Sequence, residues 1–124
     1  MAALEGVLLG ESLRRDVAFE HVSLDVWKIS RADAGDEAAG QPRTWTFIHF
    51  RAPTGQADQL AAVLSDALEP SGSWYCDFRS EHETFVIFGG RIFRYPRGDR
   101  AQRSEVEEYA RSVGVPEAQL DWPE

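Results

Sequence analysis

Cysteine, lysine and asparagine are scarce or absent in this sequence of 124 residues. With Cys76 as the only cysteine, the chain cannot form an intrachain disulfide or a zinc site built on cysteine thiolates. Without asparagine it has no N-glycosylation sequon. No stretch approaches the ~18 apolar residues of a membrane-spanning helix. Glu5 and Glu11 interrupt the N-terminal apolar run, so we expect no signal peptide and a location in the reducing cytoplasm.

Motifs that mark common catalytic and cofactor sites are missing as well. The sequence has no glycine-rich dinucleotide loop, no Walker A run and no Gly-x-Ser-x-Gly elbow. His21, His49 and His82 stand far apart, without the paired spacing of helix-borne zinc ligands. We therefore expect no metal ion and no cofactor, and we assign no catalytic residue. Whether the protein is an enzyme stays open, with a binding role favoured.

Acidic residues outnumber basic ones by 21 to 13, which gives a net charge of −8. Nucleic acids and anionic membranes repel such a chain at long range, so we expect neither as a partner. All basic residues except Lys28 are arginines. Together with the alanine and glycine content, this usage indicates a bacterial protein from a GC-rich genome.

Apolar and aromatic content is ample for one folded domain. Apolar residues make up 43% of the chain, and four Trp, seven Phe and three Tyr supply bulky core material. A chain of this length buries about two-thirds of its unfolded surface, enough for a core without metal or disulfide. No repeat or linker divides it. We predict a single domain, 1–124, with a flexible loop at 33–42, where the residues are small and polar.

Hydrophobic periodicity gives a coarse secondary structure. The predicted elements are a short helix at 4–14, strands at 21–30 and 44–50, a helix capped by Thr54, strands at 74–79, 84–88 and 91–95, and a helix capped by Asp99. Gly89-Gly90, between two apolar runs, predicts a hairpin turn. That turn places Val86 opposite Phe93 and Ile87 opposite Ile92.

This order of elements predicts an α+β fold. We expect an antiparallel sheet of about five strands, ending in a three-stranded meander at 74–95. Two amphipathic helices pack on one face of this sheet. Apolar side chains point from both faces, so either the N-terminal segment covers the second face or another molecule does, and we favour contact with another molecule.

The C-terminal half carries a distinctive pattern. Its segments are Trp74-Tyr75-Cys76-Asp77-Phe78, Phe85-Val86-Ile87-Phe88, Gly90-Arg91-Ile92-Phe93, Gly114-Val115-Pro116-Glu117 and Gln119-Leu120-Asp121-Trp122. This pattern resembles a family of small uncharacterised bacterial proteins over about residues 70 to 122. The resemblance implies a single-domain bacterial protein. It assigns no catalytic residue, because that family has no known activity.

Five arginines recur at every third position from Arg91 to Arg103. They form either an anion-binding patch or separate ion pairs, for instance between Arg103 and Glu107. In the first case we expect one binding site made of Arg94, Arg97, Arg100, Asp77, His82 and Tyr95.

Aromatic and apolar strand residues indicate a second kind of site. Tryptophan and tyrosine are favoured at binding surfaces. This chain offers Trp27, Trp45, Trp74, Tyr75, Tyr95, Tyr109 and Trp122. We predict an interface on the uncovered sheet that includes Trp27, Phe85, Ile87 and Ile92. Strand alternation points Cys76 into the core, so we do not expect it to act as a nucleophile.

Two functions stay open. The favoured one is a small, non-catalytic protein-binding module that contacts a second copy or another protein, as an immunity protein does. The alternative is a small-molecule or anion-binding protein, or an enzyme, with an arginine, histidine and carboxylate pocket. Convergence of Arg94, Arg97 and Arg100 with Asp77 and His82 would favour the alternative.

Overall fold

The computed structural model describes residues 3–71 and 73–124, so residues 1, 2 and 72 lie outside the description. Six strands and two helices follow in the order β1 (Ala3–Leu9), β2 (Asp25–Asp33), β3 (Thr44–Pro53), α1 (Ala57–Ala67), β4 (Tyr75–Arg79), β5 (Glu83–Phe88), β6 (Arg91–Pro96) and α2 (Arg100–Ser112). The strands form one antiparallel sheet in the order β2-β3-β1-β4-β5-β6. The α+β class is confirmed, with six strands instead of about five.

The N-terminal segment is a strand, and the predicted helix at 4–14 is wrong. Leu4, Gly6 and Leu8 are buried on one face, while Val7 points to the other. The strand lies at the centre of the sheet, hydrogen-bonded to β3 on one side and β4 on the other. Val7 and Leu9 on the half-buried face, with Gly6 on the buried face, break the alternation of apolar and polar residues that identifies a half-buried strand.

The C-terminal meander agrees with the sequence pattern. Val86 pairs with Phe93 and Ile87 with Ile92. Gly90 adopts a φ of 80°, the positive value that a tight hairpin turn requires. The Asp99 cap is confirmed as well, since its carboxylate accepts a hydrogen bond from the Gln102 amide at 3.0 Å.

Helix α1 packs on one face of the sheet, which we call the α1 face. Leu60 and Leu64 of the helix are fully buried there, against strand residues such as Phe50 and Phe78. Partly buried side chains of the segment between β1 and β2, among them Phe19, complete this cover. The helix begins at Ala57 after a short 3-10 turn, so the predicted Thr54 cap is wrong, and no side-chain hydrogen bond caps that turn.

Helix α2 packs on the opposite face, the α2 face, and not beside α1 as the sequence suggested. Val106 and Ala110 of this helix are buried with Val86, Phe88 and Tyr95 of the meander. Residues alternate between faces along β5, so Phe85 and Ile87 point to α1 while Val86 and Phe88 point to α2. Helix α2 covers the β5–β6 half of its face and leaves the β1–β3 half uncovered.

Candidate functional site

The uncovered half of the α2 face forms the floor of a cleft of about 760 Å³. Strands β1, β3 and β4 supply the floor and the C-terminal tail, residues 115–124, forms one wall. The side chains that line the cleft include Val7, Trp45, Phe47, His49, Trp74, Tyr75, Asp77, Arg79, Gln119, Asp121 and Trp122. A volume of this size falls in the range of about 300–1,000 Å³ that is typical of small-molecule sites.

Aromatic rings make up much of the cleft wall. The ring centroids of Trp45 and Trp74 lie 5.3 Å apart, and those of Trp45 and Phe47 lie 6.1 Å apart. Tyr75 also meets Trp122 of the tail edge to face, with centroids 5.3 Å apart. These contacts fix the ring orientations, so the cleft presents a stable apolar surface.

The loop between β2 and β3 is joined to the C-terminal tail beside the cleft. The side-chain amides of Gln41 and Gln119 exchange two hydrogen bonds, of 3.0 and 2.7 Å. Within the loop, Gln41 also accepts a hydrogen bond from the Asp36 amide, and the indole of Trp45 donates to the Pro42 carbonyl. Hydrogen bonds therefore tie the loop predicted at 33–42 to the tail through Gln41 and to β3 through Trp45. The flexibility of this loop stays a prediction.

Asp77 is the carboxylate on the cleft floor. It is half-buried as a residue because it faces the cleft, but protein atoms surround its carboxyl group on most sides. Burial raises the pKa of Asp77 to about 6, with a smaller contribution from Asp121, while Arg79 and Arg103 oppose the shift. Apart from its own backbone, Asp77 makes no side-chain hydrogen bond or ion pair within the described chain.

Three other polar groups complete the site. The hydroxyl of Tyr75 donates to the Gln119 carbonyl, and burial raises the pKa of this phenol above its usual value. Burial and the nearby charge of Lys28 lower the pKa of His49, which favours the neutral imidazole. Arg79 lies 3.9 Å from Glu5, so part of its charge is balanced outside the cleft.

The residues predicted to form one anion site do not converge. Arg94 binds Asp58 at 2.7 Å and Glu83 at 2.8 Å, in a shallow groove that also contains His82. Asp77 lies on the other face of the sheet. This separation follows from strand alternation and from the opposite placement of the two helices.

The remaining predicted members of that site also lie apart. Arg97 donates to the carbonyls of Ser80 and Glu81 in the β4–β5 turn. Tyr95 is buried under α2, where its hydroxyl accepts from the Trp122 indole at 2.7 Å. Arg100 lies exposed at the start of α2. The predicted convergence is wrong.

The run of arginines is not one patch. Arg91 stacks over the ring of Phe93 at 4.6 Å on the α2 face, whereas Arg94 lies on the α1 face. The pair between Arg103 and Glu107 is confirmed at 3.2 Å. Of the five arginines, Arg94 and Arg103 form ion pairs within the described chain, while Arg97 donates to backbone carbonyls.

Two of the four predicted interface residues are core residues. Phe85 and Ile87 are 1% and 0% exposed beneath α1, so they are not available to another molecule. Trp27 and Ile92 are exposed, at 51% and 42%. Trp27 lies next to the cleft, where its ring packs against His49 at 5.3 Å between centroids. Cys76 is buried as predicted, and burial raises the pKa of its thiol.

The sequence feature that best indicated the cleft was the large number of tryptophan and tyrosine residues. Trp45, Trp74, Tyr75 and Trp122 line it, while Tyr95 and Tyr109 pack in the core with α2. Sequence reasoning missed Val7, Phe47 and His49 as floor residues. The two ends of the resemblance pattern, Trp74–Asp77 and Gln119–Trp122, meet in this cleft.

Comparison with protein-family models, with curated proteins and with solved structures found no match to this chain. Neither helix of the described chain has the length and apolar content needed to cross a membrane. Within residues 3–71 and 73–124, no three His, Cys, Asp or Glu side chains come together as metal ligands would.

Proposed function

We propose that this protein is a non-catalytic binding module that takes a small, largely apolar molecule into the cleft over β1, β3 and β4. The observation that carries the proposal is the combination of volume, about 760 Å³, with aromatic walls and a mainly apolar lining. This combination is typical of small-molecule sites. The tail and the anchored loop confine the floor of the cleft, which makes a compact ligand a better fit than a flat protein surface.

A variant that fills the cleft tests this proposal. Val7 lies on the floor, and Val7→Trp places an indole where the ligand would bind, with little effect on the α1 face. The matched control is Ile29→Trp, because Ile29 is 65% exposed at the edge strand and lies away from the cleft. Aromatic compounds are screened by the NMR signals of the four indole N–H groups.

We expect binding compounds to shift the signals of Trp45, Trp74 and Trp122 more than that of Trp27, which is outside the lining. Binding is expected to be lost in Val7→Trp and kept in Ile29→Trp. Compounds that bind Val7→Trp as well as the unmodified protein would contradict the proposal, as would shifts confined to Trp27.

A second candidate function, contact with a second copy of the chain, is favoured by the exposed apolar side chains of β2. Val26, Trp27 and Ile29 are 44%, 51% and 65% exposed on this edge strand. A bulge between Val26 and Lys28 interrupts the strand, which disfavours simple strand pairing and leaves side-chain packing as the contact. Light scattering should then show a dimer that Ile29→Lys dissociates, and a monomer at all concentrations would exclude this candidate.

A further inference from the structure

The charged side chains that line the cleft are predominantly acidic. Asp36, Asp77 and Asp121 stand against Arg79, and His49 is neutral near pH 7 because its pKa is lowered. Glu5, 3.9 Å from Arg79, partly balances the positive charge of that guanidinium. The chain as a whole carries −8. Both the local and the overall charge therefore attract cations and repel anions.

The three carboxylates differ in their hydrogen bonding. Asp36 accepts a hydrogen bond from the Ala38 amide at 2.9 Å, and Asp121 lies 3.4 Å from the hydroxyl of Tyr75. The side chain of Asp77, half-buried on the cleft floor, has no hydrogen bond beyond its own backbone in the described chain. Partial removal of a carboxylate from water carries a desolvation cost, which a bound cation would offset.

The aromatic walls strengthen the same preference. The faces of the Trp45, Phe47 and Trp74 rings carry the negative side of the ring quadrupole, which attracts a cation. The same rings can stack against flat apolar groups. We infer that the ligand of the cleft is an organic cation, a flat apolar body carrying a protonated amine whose ammonium group binds Asp77. This inference rests on the proposed function and adds the charge and shape of the ligand.

The inference predicts how affinity depends on pH. Asp77 must be ionised to bind the ammonium group, and its pKa in the protein alone is about 6. The charged groups near it are Arg79, Asp121 and Arg103, with the neutral Tyr75 beside them. Affinity for a cation should therefore fall as the pH drops through about 6, and affinity for a neutral analogue should not.

Three naphthalene probes of nearly equal size separate charge from shape. They are 1-naphthylmethylamine (cationic), 1-naphthalenemethanol (neutral) and 1-naphthaleneacetate (anionic), each titrated by NMR at pH 7.5 and 5. At pH 7.5 we expect the amine to bind at least tenfold more tightly than the alcohol, and the acetate to bind most weakly. Asp77→Asn should lower the amine affinity to that of the alcohol and leave the alcohol affinity unchanged. Glu105→Gln, an exposed position on α2, controls for the loss of one negative charge.

The outcomes distinguish this inference from the proposal beneath it. Equal affinities for amine and alcohol, or tightest binding of the acetate, would overturn the cation preference and leave the cleft as a binding site. An amine affinity equally reduced by Glu105→Gln would also overturn it, because the effect would then be long-range charge. If no probe shifts the signals of Trp45 and Trp74, both the inference and the proposed function are wrong.

Discussion

The two halves of the sheet differ in how deeply their side chains are buried on the α2 face. In the β5–β6 half, Val86, Phe88 and Tyr95 are 0–3% exposed beneath α2 and the tail. In the β1–β3 half, Val7 and Phe47 are only half-buried and face the cleft. Both halves carry apolar side chains on this face, but His49 and Asp77 stand among them in the β1–β3 half. The halves also differ in what covers them.

Geometry explains the difference. A helix is about 10 Å across and strands lie about 4.8 Å apart, so one helix covers roughly two strands. Helix α2 is the only α-helix on its face in the described chain, and the tail, with a 3-10 turn at Glu117–Gln119, extends its cover to Trp122. The α1 face has additional cover from the segment between β1 and β2. A six-stranded sheet with one α-helix per face therefore leaves an apolar area uncovered. That area is free to contact another protein chain or to bind a small molecule.

The largest expected effect separates the two halves by stability. Phe88 is 3% exposed and packs against the rings of Tyr75, Phe93 and Tyr109. Phe88→Ala should lower the free energy of unfolding by about 3–5 kcal/mol, because it leaves a cavity in the core. Phe47→Ala, in the uncovered half, should cost less than about 1 kcal/mol. Equal costs in urea denaturation would show that the cleft floor is as tightly packed as the core.

The next effect concerns the loop wall of the cleft. A Cβ added at Gly35 would lie 1.6 Å from the Pro42 carbonyl oxygen and 2.8 Å from the Trp45 indole nitrogen. Gly35→Ala should therefore displace the loop and destabilise the protein by about 2–3 kcal/mol. Gly55→Ala is the control, since nothing lies within 4 Å of its added Cβ. Thermal unfolding measures both, and a harmless Gly35→Ala would mean that the wall adjusts freely.

The pH dependence of stability tests whether the uncovered half raises the pKa of Asp77. The pKa of Asp77 rises from 3.8 to about 6 on folding, so between these values the folded state keeps a proton that the unfolded chain releases. Stability should fall as the pH rises through this interval, by about 1–2 kcal/mol after allowance for partial exposure. Asp77→Asn should remove this part of the slope in urea denaturation between pH 4 and 6. An unchanged slope would mean that Asp77 titrates as a solvated carboxylate.

The smallest effect measures the connection between loop and tail. A double-mutant cycle on Gln41→Ala and Gln119→Ala should give a coupling energy of about 1 kcal/mol, because each substitution removes the same pair of hydrogen bonds. Faster amide hydrogen exchange at 36–41 should accompany either substitution. Additive effects would show that the two amides do not hold the wall together in solution.

The meander was predictable because its information is local. Alternation along β5 and β6, with the Gly89-Gly90 turn between them, sets the pairing of Val86 with Phe93 without knowledge of the rest of the chain. The N-terminal strand was not predictable in this way. Its partners lie 38 to 50 residues away in β3 and 70 to 74 residues away in β4, and its apolar residues occupy both faces.

The cleft was only partly predictable for a similar reason. The aromatic residues that line it stood out as a group, but their grouping arises from segments separated along the chain, with Trp45 on β3, Tyr75 on β4 and Trp122 in the tail. The predicted arginine site was wrong for the converse reason, because residues close in sequence lie apart in the structure. Arg94 and Arg97 are neighbours in sequence, yet strand alternation and the turn direct them to different surroundings.

By itself, the sequence determined the fold class, the meander, the two helices and the burial of Cys76, since these follow from short-range periodicity, turn residues and caps. Only the tertiary structure decided that the helices lie on opposite faces and that half of one face stays uncovered. It also decided that Asp77 lies among aromatic rings. Strand order and helix placement depend on contacts between distant segments, and no local pattern in the chain records them.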